Sequence, residues 1–174
     1  MKYILLLVFA VITSCEPSKK SSIEPNKPEE MTTYYFIRHA EKDVSDPANA
    51  DPVLNEKGQK RAEKWAEVFS EVPLDMIYVS QYQRTRQTAE PIAKAHNISI
   101  STYSTSKLND PDFQAKTKGK TVLVVGHSDI NPEFANYIME EEVFKQIEDS
   151  QSGSLYIITV SPSGEKSSQL LYIN

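Results

Sequence analysis

The stretch Thr121–Val125 reads Thr-Val-Leu-Val-Val, a run with no polar face. A strand that is apolar on both sides has to be covered on both sides, the condition of a central strand in a parallel sheet held between helices. The rest of the pattern fits that demand. Thr33–Ile37 and Met76–Val79 are further short β-branched and aromatic runs. Between them Asn55 can cap a helix in which Ala62, Trp65, Ala66 and Phe69 recur on one face. A second helix is predicted from about Tyr82 to Ala95, burying Ala89, Ile92 and Ala93, with Pro91 expected to bend it or loosen a hydrogen bond. Ile98–Tyr103 alternates as a strand, and Asn131-Pro132 reads as the cap and first turn of another helix. Leu155–Val160 and Gln169–Ile173, joined by Ser161-Pro162-Ser163-Gly164, predict a closing hairpin. Such alternation of strands and helices implies a layered α/β fold with a mainly parallel sheet.

The N-terminal segment stands outside this pattern. Lys2 precedes an apolar run from Tyr3 to Ile12, followed by the small residues Thr13 and Ser14, which reads as a secretory signal. The run is too short to span a bilayer as a helix. Ile12-Thr13-Ser14-Cys15 resembles a bacterial lipobox, which implies cleavage before Cys15 and a diacylglyceryl group on its thiol. Glu16–Thr32 carries Pro17, Pro25 and Pro28 among serines, lysines and glutamates, the composition of a flexible tether. Residues 1–14 are therefore expected to be a lipoprotein signal peptide, 15–32 a lipidated cysteine with its tether, and 33–174 a single globular domain at the cell envelope. Cys15 is the chain's one cysteine, so neither an internal disulfide nor a cysteine-based zinc framework has a ligand set. Nineteen Lys and Arg against 24 Asp and Glu give a net charge of −5, which argues against a non-specific nucleic-acid binder.

The chemistry-bearing residues fall at one edge of the expected sheet. Arg38-His39 ends the first strand, Arg84 lies just beyond the second, and His127 follows the apolar strand with Gly126 between them. Ligands of open parallel sheets bind at the carboxyl ends of strands, where loops converge and helices point their N-termini inward. Singly, each residue has an ordinary reading: a surface arginine, or a hydrogen-bonded structural histidine such as His96 near a helix end. Together, two arginines and two histidines at one edge suit a phosphoryl group. A guanidinium matches phosphate oxygens bidentately, and the helix opening near Pro132 adds unpaired N–H groups.

Four segments then carry a resemblance. Phe36-Ile37-Arg38-His39-Ala40-Glu41, Leu54-Asn55-Glu56-Lys57-Gly58-Gln59-Lys60-Arg61-Ala62, Ser80-Gln81-Tyr82-Gln83-Arg84-Thr85-Arg86-Gln87-Thr88-Ala89 and Val124-Val125-Gly126-His127-Ser128 resemble, in order, the signatures of the histidine phosphatase (phosphoglycerate mutase-like) superfamily. The short interval between Tyr103 and Thr121 is similar to the small, lid-poor bacterial members. The resemblance implies a three-layer phosphoglycerate mutase-like fold, a covalent phosphohistidine intermediate, and no metal or other cofactor. It makes His39 the nucleophile, Arg38 and Arg84 the phosphate clamps, and His127 a further donor to the transferring group. Arg86 competes with Arg84, but the spacing Ser-x-x-x-Arg-Thr-x-x-Thr-Ala selects Arg84. The chemistry of the residues is compatible with this. A neutral imidazole can attack phosphorus in line, and two guanidinium groups with a second imidazole can stabilise the equatorial oxygens.

Two positions depart from the pattern. Ala40 follows the nucleophile where many members have glycine. The general acid is not fixed either: Asp129 is preferred for its two-residue offset from His127, with Asp110 and Asp112 as alternatives. The leading expectation is a phosphatase acting on a small phosphorylated substrate or a phosphoprotein. A phosphosugar mutase is the first alternative, although it needs a lid to retain its intermediate. A non-enzymatic phosphate-binding lipoprotein is the second, although all four site positions are filled.

Overall fold

The computed structural model describes residues 30–173. The expected signal segment, Cys15 and most of the tether lie outside the described residues. In chain order the elements are β1 (Thr32–Arg38), α1 (Glu56–Phe69), β2 (Met76–Val79), α2 (Gln83–His96), β3 (Ile100–Thr102), α3 (Pro111–Thr117), β4 (Thr121–Gly126), α4 (Ile130–Met139), β5 (Ser154–Val160) and β6 (Lys166–Tyr172). They form one six-stranded sheet in the order β3-β2-β4-β1-β5-β6. β3, β2, β4 and β1 run parallel, while β5 lies antiparallel to β1 and carries β6 as a hairpin. This is the mainly parallel α/β sheet with a C-terminal hairpin that the sequence predicts.

The two faces of β4 show why the fold has three layers. Val122 and Val124 are buried with Phe36, Tyr78, Phe113, Phe134 and Tyr156, on the side covered by α3 and α4. Leu123 and Val125 are buried with Ile37, Ile77, Trp65, Phe69 and Ile92, on the side covered by α1 and α2. Apolar residues on both faces of the central strands thus meet apolar helix faces, and burial of this kind is the dominant favourable contribution to folding.

Local chemistry sets the helix starts. Asn55 caps α1 by accepting the Gly58 N–H at 2.9 Å, and its own backbone N–H donates to the Glu41 carbonyl at 3.0 Å. A Cβ on Gly58 would lie 2.1 Å from that carbonyl oxygen, so glycine is what lets α1 rest on the segment following His39. Pro91 sits inside α2 without ending it; the helix continues to His96, whose Nε2 lies 3.0 Å from the Phe69 carbonyl.

Four expectations are corrected. The first strand begins one residue early, at Thr32, and the third strand is shorter than Ile98–Tyr103. The interval before Thr121 holds a helix, α3, that was not predicted. Asp110 caps it, accepting the Phe113 N–H at 2.8 Å, and Pro111 opens it. Asn131-Pro132 is not the cap of α4. Asp129 occupies that position, accepting the Ile130 N–H at 2.9 Å, while Asn131 is fully buried. The Asn131 amide is pressed toward Gly126, where a Cβ would lie 2.1 Å from Oδ1, so its side chain is turned into the wall instead of back along the helix.

Candidate active site

Loops at the carboxyl ends of β1, β2, β3 and β4 and before β5 border a cleft of about 400 Å³. Arg38, His39, Arg84 and His127, predicted as a group, all line it, together with Lys42, Tyr82, Ser128, Asp129, Gln146 and Asp149. The structure places the other named residues elsewhere: Asp110 caps α3, Asp112 is exposed in its first turn, and Arg86 is exposed on α2.

His39 extends the β1–β4 ladder, its N–H donating to the Gly126 carbonyl at 2.9 Å. Its Nδ1 lies 2.7 Å from the Ala40 carbonyl. A carbonyl only accepts, so Nδ1 carries the proton and Nε2 keeps its lone pair. The Ala40 peptide is itself held, because its N–H donates to Thr88 Oγ1 at 2.9 Å and Thr88 donates to the Arg84 carbonyl at 2.7 Å. The Ala40 methyl group is buried with Leu54 and Ala62, which gives the departure from glycine a packing role. Burial, with Arg38, His127 and Arg84 as further contributors, pushes the His39 imidazole down to about 3 despite the opposing Ala40 carbonyl. The ring is therefore neutral near pH 7.

The two guanidinium groups have separate supports. Arg38 is buried, and its Nη1 donates to the Asp149 carbonyl and to Ser152 Oγ at 3.3 Å. Its Nη2 meets the Asp149 carboxylate at 3.3 Å, and that carboxylate accepts from Ser128 Oγ at 2.6 Å. The Ser128 hydroxyl and then Arg38 lower the Asp149 carboxyl below its usual range. Arg84 rises from the first turn of α2, its Cζ 4.2 Å from the Tyr82 ring centroid and its Nη1 3.8 Å from Asp51. The Nε of each arginine is buried with no protein partner.

His127 stands 5.4 Å from His39 and 5.3 Å from Tyr82, measured between ring centroids. Its Nε2 is 2.9 Å from Ser80 Oγ, which is 3.0 Å from Thr85 Oγ1. Burial, followed by Arg84, lowers its imidazole to about 4. Among the described residues, no group of three His, Cys, Asp or Glu is placed to hold a metal ion.

The arrangement joins a neutral imidazole to two fixed cations and a second imidazole. Sequence reasoning found these four but not their supports. Ser80, Thr85 and Thr88 belong to the spacing that selected Arg84, and the signal for their roles was present there: hydroxyls at the start of a helix that borders both histidines. Asp149 and Gln146 had no such signal, because the segment between α4 and β5 lacks periodicity.

A family model described as the histidine phosphatase superfamily (branch 1) matches residues 34–115. Phosphoserine phosphatase 1 of Hydrogenobacter thermophilus is 36% identical over 74 residues, spanning 40% of this chain and 35% of that protein. The match thus covers about a third of the relative's length. Among solved structures, the protein histidine phosphatase SixA, complexed with tungstate, superposes with a TM-score of 0.64 at 18% identity, covering 80% of this chain and 96% of SixA. A phosphoglycerate mutase from Bacillus anthracis gives 0.59 at 13% identity, covering 83% and 94%. At these identities the structural likeness establishes the fold.

Proposed function

We propose that this chain, whose residues 34–115 match the histidine phosphatase superfamily (branch 1), hydrolyses phosphomonoesters or protein phosphohistidine through a phosphohistidine formed on His39. The observation that carries this reading is the Ala40 carbonyl on Nδ1, which leaves the lone pair on His39 Nε2, in a cleft lined by two guanidinium groups. The relatives named phosphoserine phosphatase and protein histidine phosphatase support hydrolysis as the outcome.

In the first step Nε2 attacks phosphorus, the bond from phosphorus to the leaving oxygen or nitrogen breaks, and the leaving group gains a proton. In the second, water attacks the phosphohistidine, the P–N bond breaks, the water proton is released, and inorganic phosphate departs. Arg38 and Arg84 bear the equatorial charge in both steps, the kind of electrostatic positioning that dominates phosphoryl transfer. Asp129, exposed at the cleft's edge, is the residue we assign to the leaving-group proton. The chemistry as written needs no metal.

Hydrolysis of an aryl phosphate by the full chain should proceed in EDTA and stop with vanadate. The trapped phosphoenzyme should be acid-labile and alkali-stable, as a phosphoramidate is. His39→Ala should lose at least about 10⁴-fold in kcat, the scale seen when a nucleophile is deleted. Full activity in that variant would sink the assignment.

We also place the domain at the cell envelope, on the strength of the run Ile12-Thr13-Ser14-Cys15. The mature chain should begin at lipidated Cys15 and partition with membranes, stable anchoring needing more than one acyl chain. Cys15→Ser should abolish lipidation without a direct effect on the cleft; recovery of wild type retaining Met1 in the cytoplasm would refute this placement.

A further inference from the structure

The two cleft imidazoles are wired in opposite senses. His39 gives its Nδ1 proton to a carbonyl, whereas His127 Nε2 faces a chain of hydroxyls inside the wall. Thr85 Oγ1 lies 2.8 Å from the Tyr82 carbonyl and 3.1 Å from the Ser80 carbonyl. Carbonyls only accept, so the single Thr85 proton is drawn to them. Thr85 Oγ1 then accepts from Ser80 at 3.0 Å, and Ser80 Oγ, its proton spent, accepts from His127 Nε2 at 2.9 Å. Run in this sense, every link carries a hydrogen. If Ser80 instead donated to His127, the Ser80–Thr85 contact would hold two oxygens with no hydrogen between them, unless Thr85 gave up its carbonyl. Ser80 and Thr85 are 1% and 0% exposed, where an unmade hydrogen bond is costly.

We propose that Ser80 is a positioning residue that keeps the proton of neutral His127 on Nε2, so that the ring's other nitrogen donates to a phosphoryl oxygen only after taking up a second proton. Phosphoryl binding then draws one proton from solvent into the cleft. The ring is faced by Arg84 and Tyr82 at the start of α2, Arg38 and His39 at the end of β1, Lys42 beyond them, and Asp129 at the cap of α4. In the empty cleft, burial and the cations outweigh Asp129 and keep the ring neutral. A bound dianion reverses that balance by pairing with the ring at close range. This inference rests on the phosphatase reading and adds a protonation requirement to it.

Tungstate, a dianion at neutral pH, is the probe. Binding to the full chain is followed by calorimetry in buffers of different ionisation heat and by ¹⁵N NMR of the three histidines. Free wild type should show His127 protonated at Nε2 alone. Tungstate should protonate both nitrogens with uptake of about one proton, so that its Kd rises about tenfold per pH unit where the bound ring remains charged and the free ring neutral. His39→Gln should retain the uptake, which assigns it to His127. Ser80→Ala should move the neutral ring's proton to Nδ1 and at least halve the uptake, and Ser80→Thr should restore both. If Ser80→Ala does not fold, Thr85→Val, which removes the acceptor beneath Ser80, carries the same expectation. Wild type binding tungstate with no proton uptake, or Ser80→Ala keeping wild-type tautomer and uptake, overturns the inference while leaving the phosphatase reading in place. Failure of wild type to bind tungstate overturns both.

Discussion

On the floor of the cleft Arg38, His39, Ser80 and His127 are 5%, 4%, 1% and 9% exposed, whereas Lys42, Asp129, Gln146 and Asp149 on its rim are exposed and sit on loops or a helix cap. Floor residues stand at strand ends and are tied to backbone carbonyls and buried hydroxyls. On the rim, Asp129 is held by its cap to the Ile130 N–H, while Asp149 meets both Ser128 and Arg38. Phosphoryl transfer, the reaction we propose, demands fixed charges at fixed distances, which assigns it to the floor. On the phosphatase reading the rim is where leaving groups meet the protein, and its exposed Lys42, Asp129 and Gln146 can vary with less disturbance to the phosphate site than Asp149, which holds Arg38.

The largest effect that tests this division is expected on the floor. Arg84→Lys keeps the charge but loses the planar fork, and should lower kcat/KM for an aryl phosphate by about 10²- to 10³-fold. Lys42→Ala on the rim should cost less than about tenfold, as befits an exposed charge. Comparable losses in the two variants would erase the distinction.

A second, smaller effect sharpens it. Asp129→Asn should slow alkyl phosphates about a hundredfold, within the usual range for general acid catalysis, and leave an aryl phosphate much less affected. Steady-state rates on matched alkyl and aryl substrates check this. Equal small losses on both would make Asp129 a helix cap and nothing more.

The mildest effect is on stability. Folded His39 and His127 are neutral down to about 3 and 4, while the unfolded chain's histidines take up protons below about pH 6.5. The unfolded state therefore binds more protons as pH falls through 6.5, and unfolding becomes easier from there toward pH 4. The carboxylates of Glu41 and Asp149, also lowered on folding, add losses only near and below their ordinary values, so the upper part of the window reports the histidines. Urea titrations of wild type and His39→Gln at a series of pH values should show a shallower slope in the variant between about pH 6.5 and 5.

The same division governs what could be read from the sequence. β1 and β4 announce themselves as apolar runs ending in Arg38-His39 and Gly126-His127, and a parallel sheet leaves those ends little choice of location. Asp110-Pro111 did carry a cap and first-turn signal for α3, but Phe113 is that helix's one large apolar anchor, too little to show a periodicity. Asn131-Pro132 misled because a good cap residue one step before a proline was buried for a packing reason that only Gly126 and the tertiary fold reveal. Asp149 reaches Arg38 across a segment without regular structure, and no local preference encodes a contact over that separation.

β1 ends at Arg38-His39 and has both edges paired, but its partners are β4 and β5, which come late in the chain. During synthesis this strand emerges first and must wait, unpaired, for residues 121–126 and 154–160. Long-range pairing of this kind is slow to form and leaves apolar strand edges open meanwhile. The cleft comes into being only once residues 154–160 have arrived, so the turnover we propose would report completion of that pairing. A nascent chain, or one cut before residue 154, has His39 at the end of an aggregation-prone ribbon, the form in which a holding chaperone would meet it.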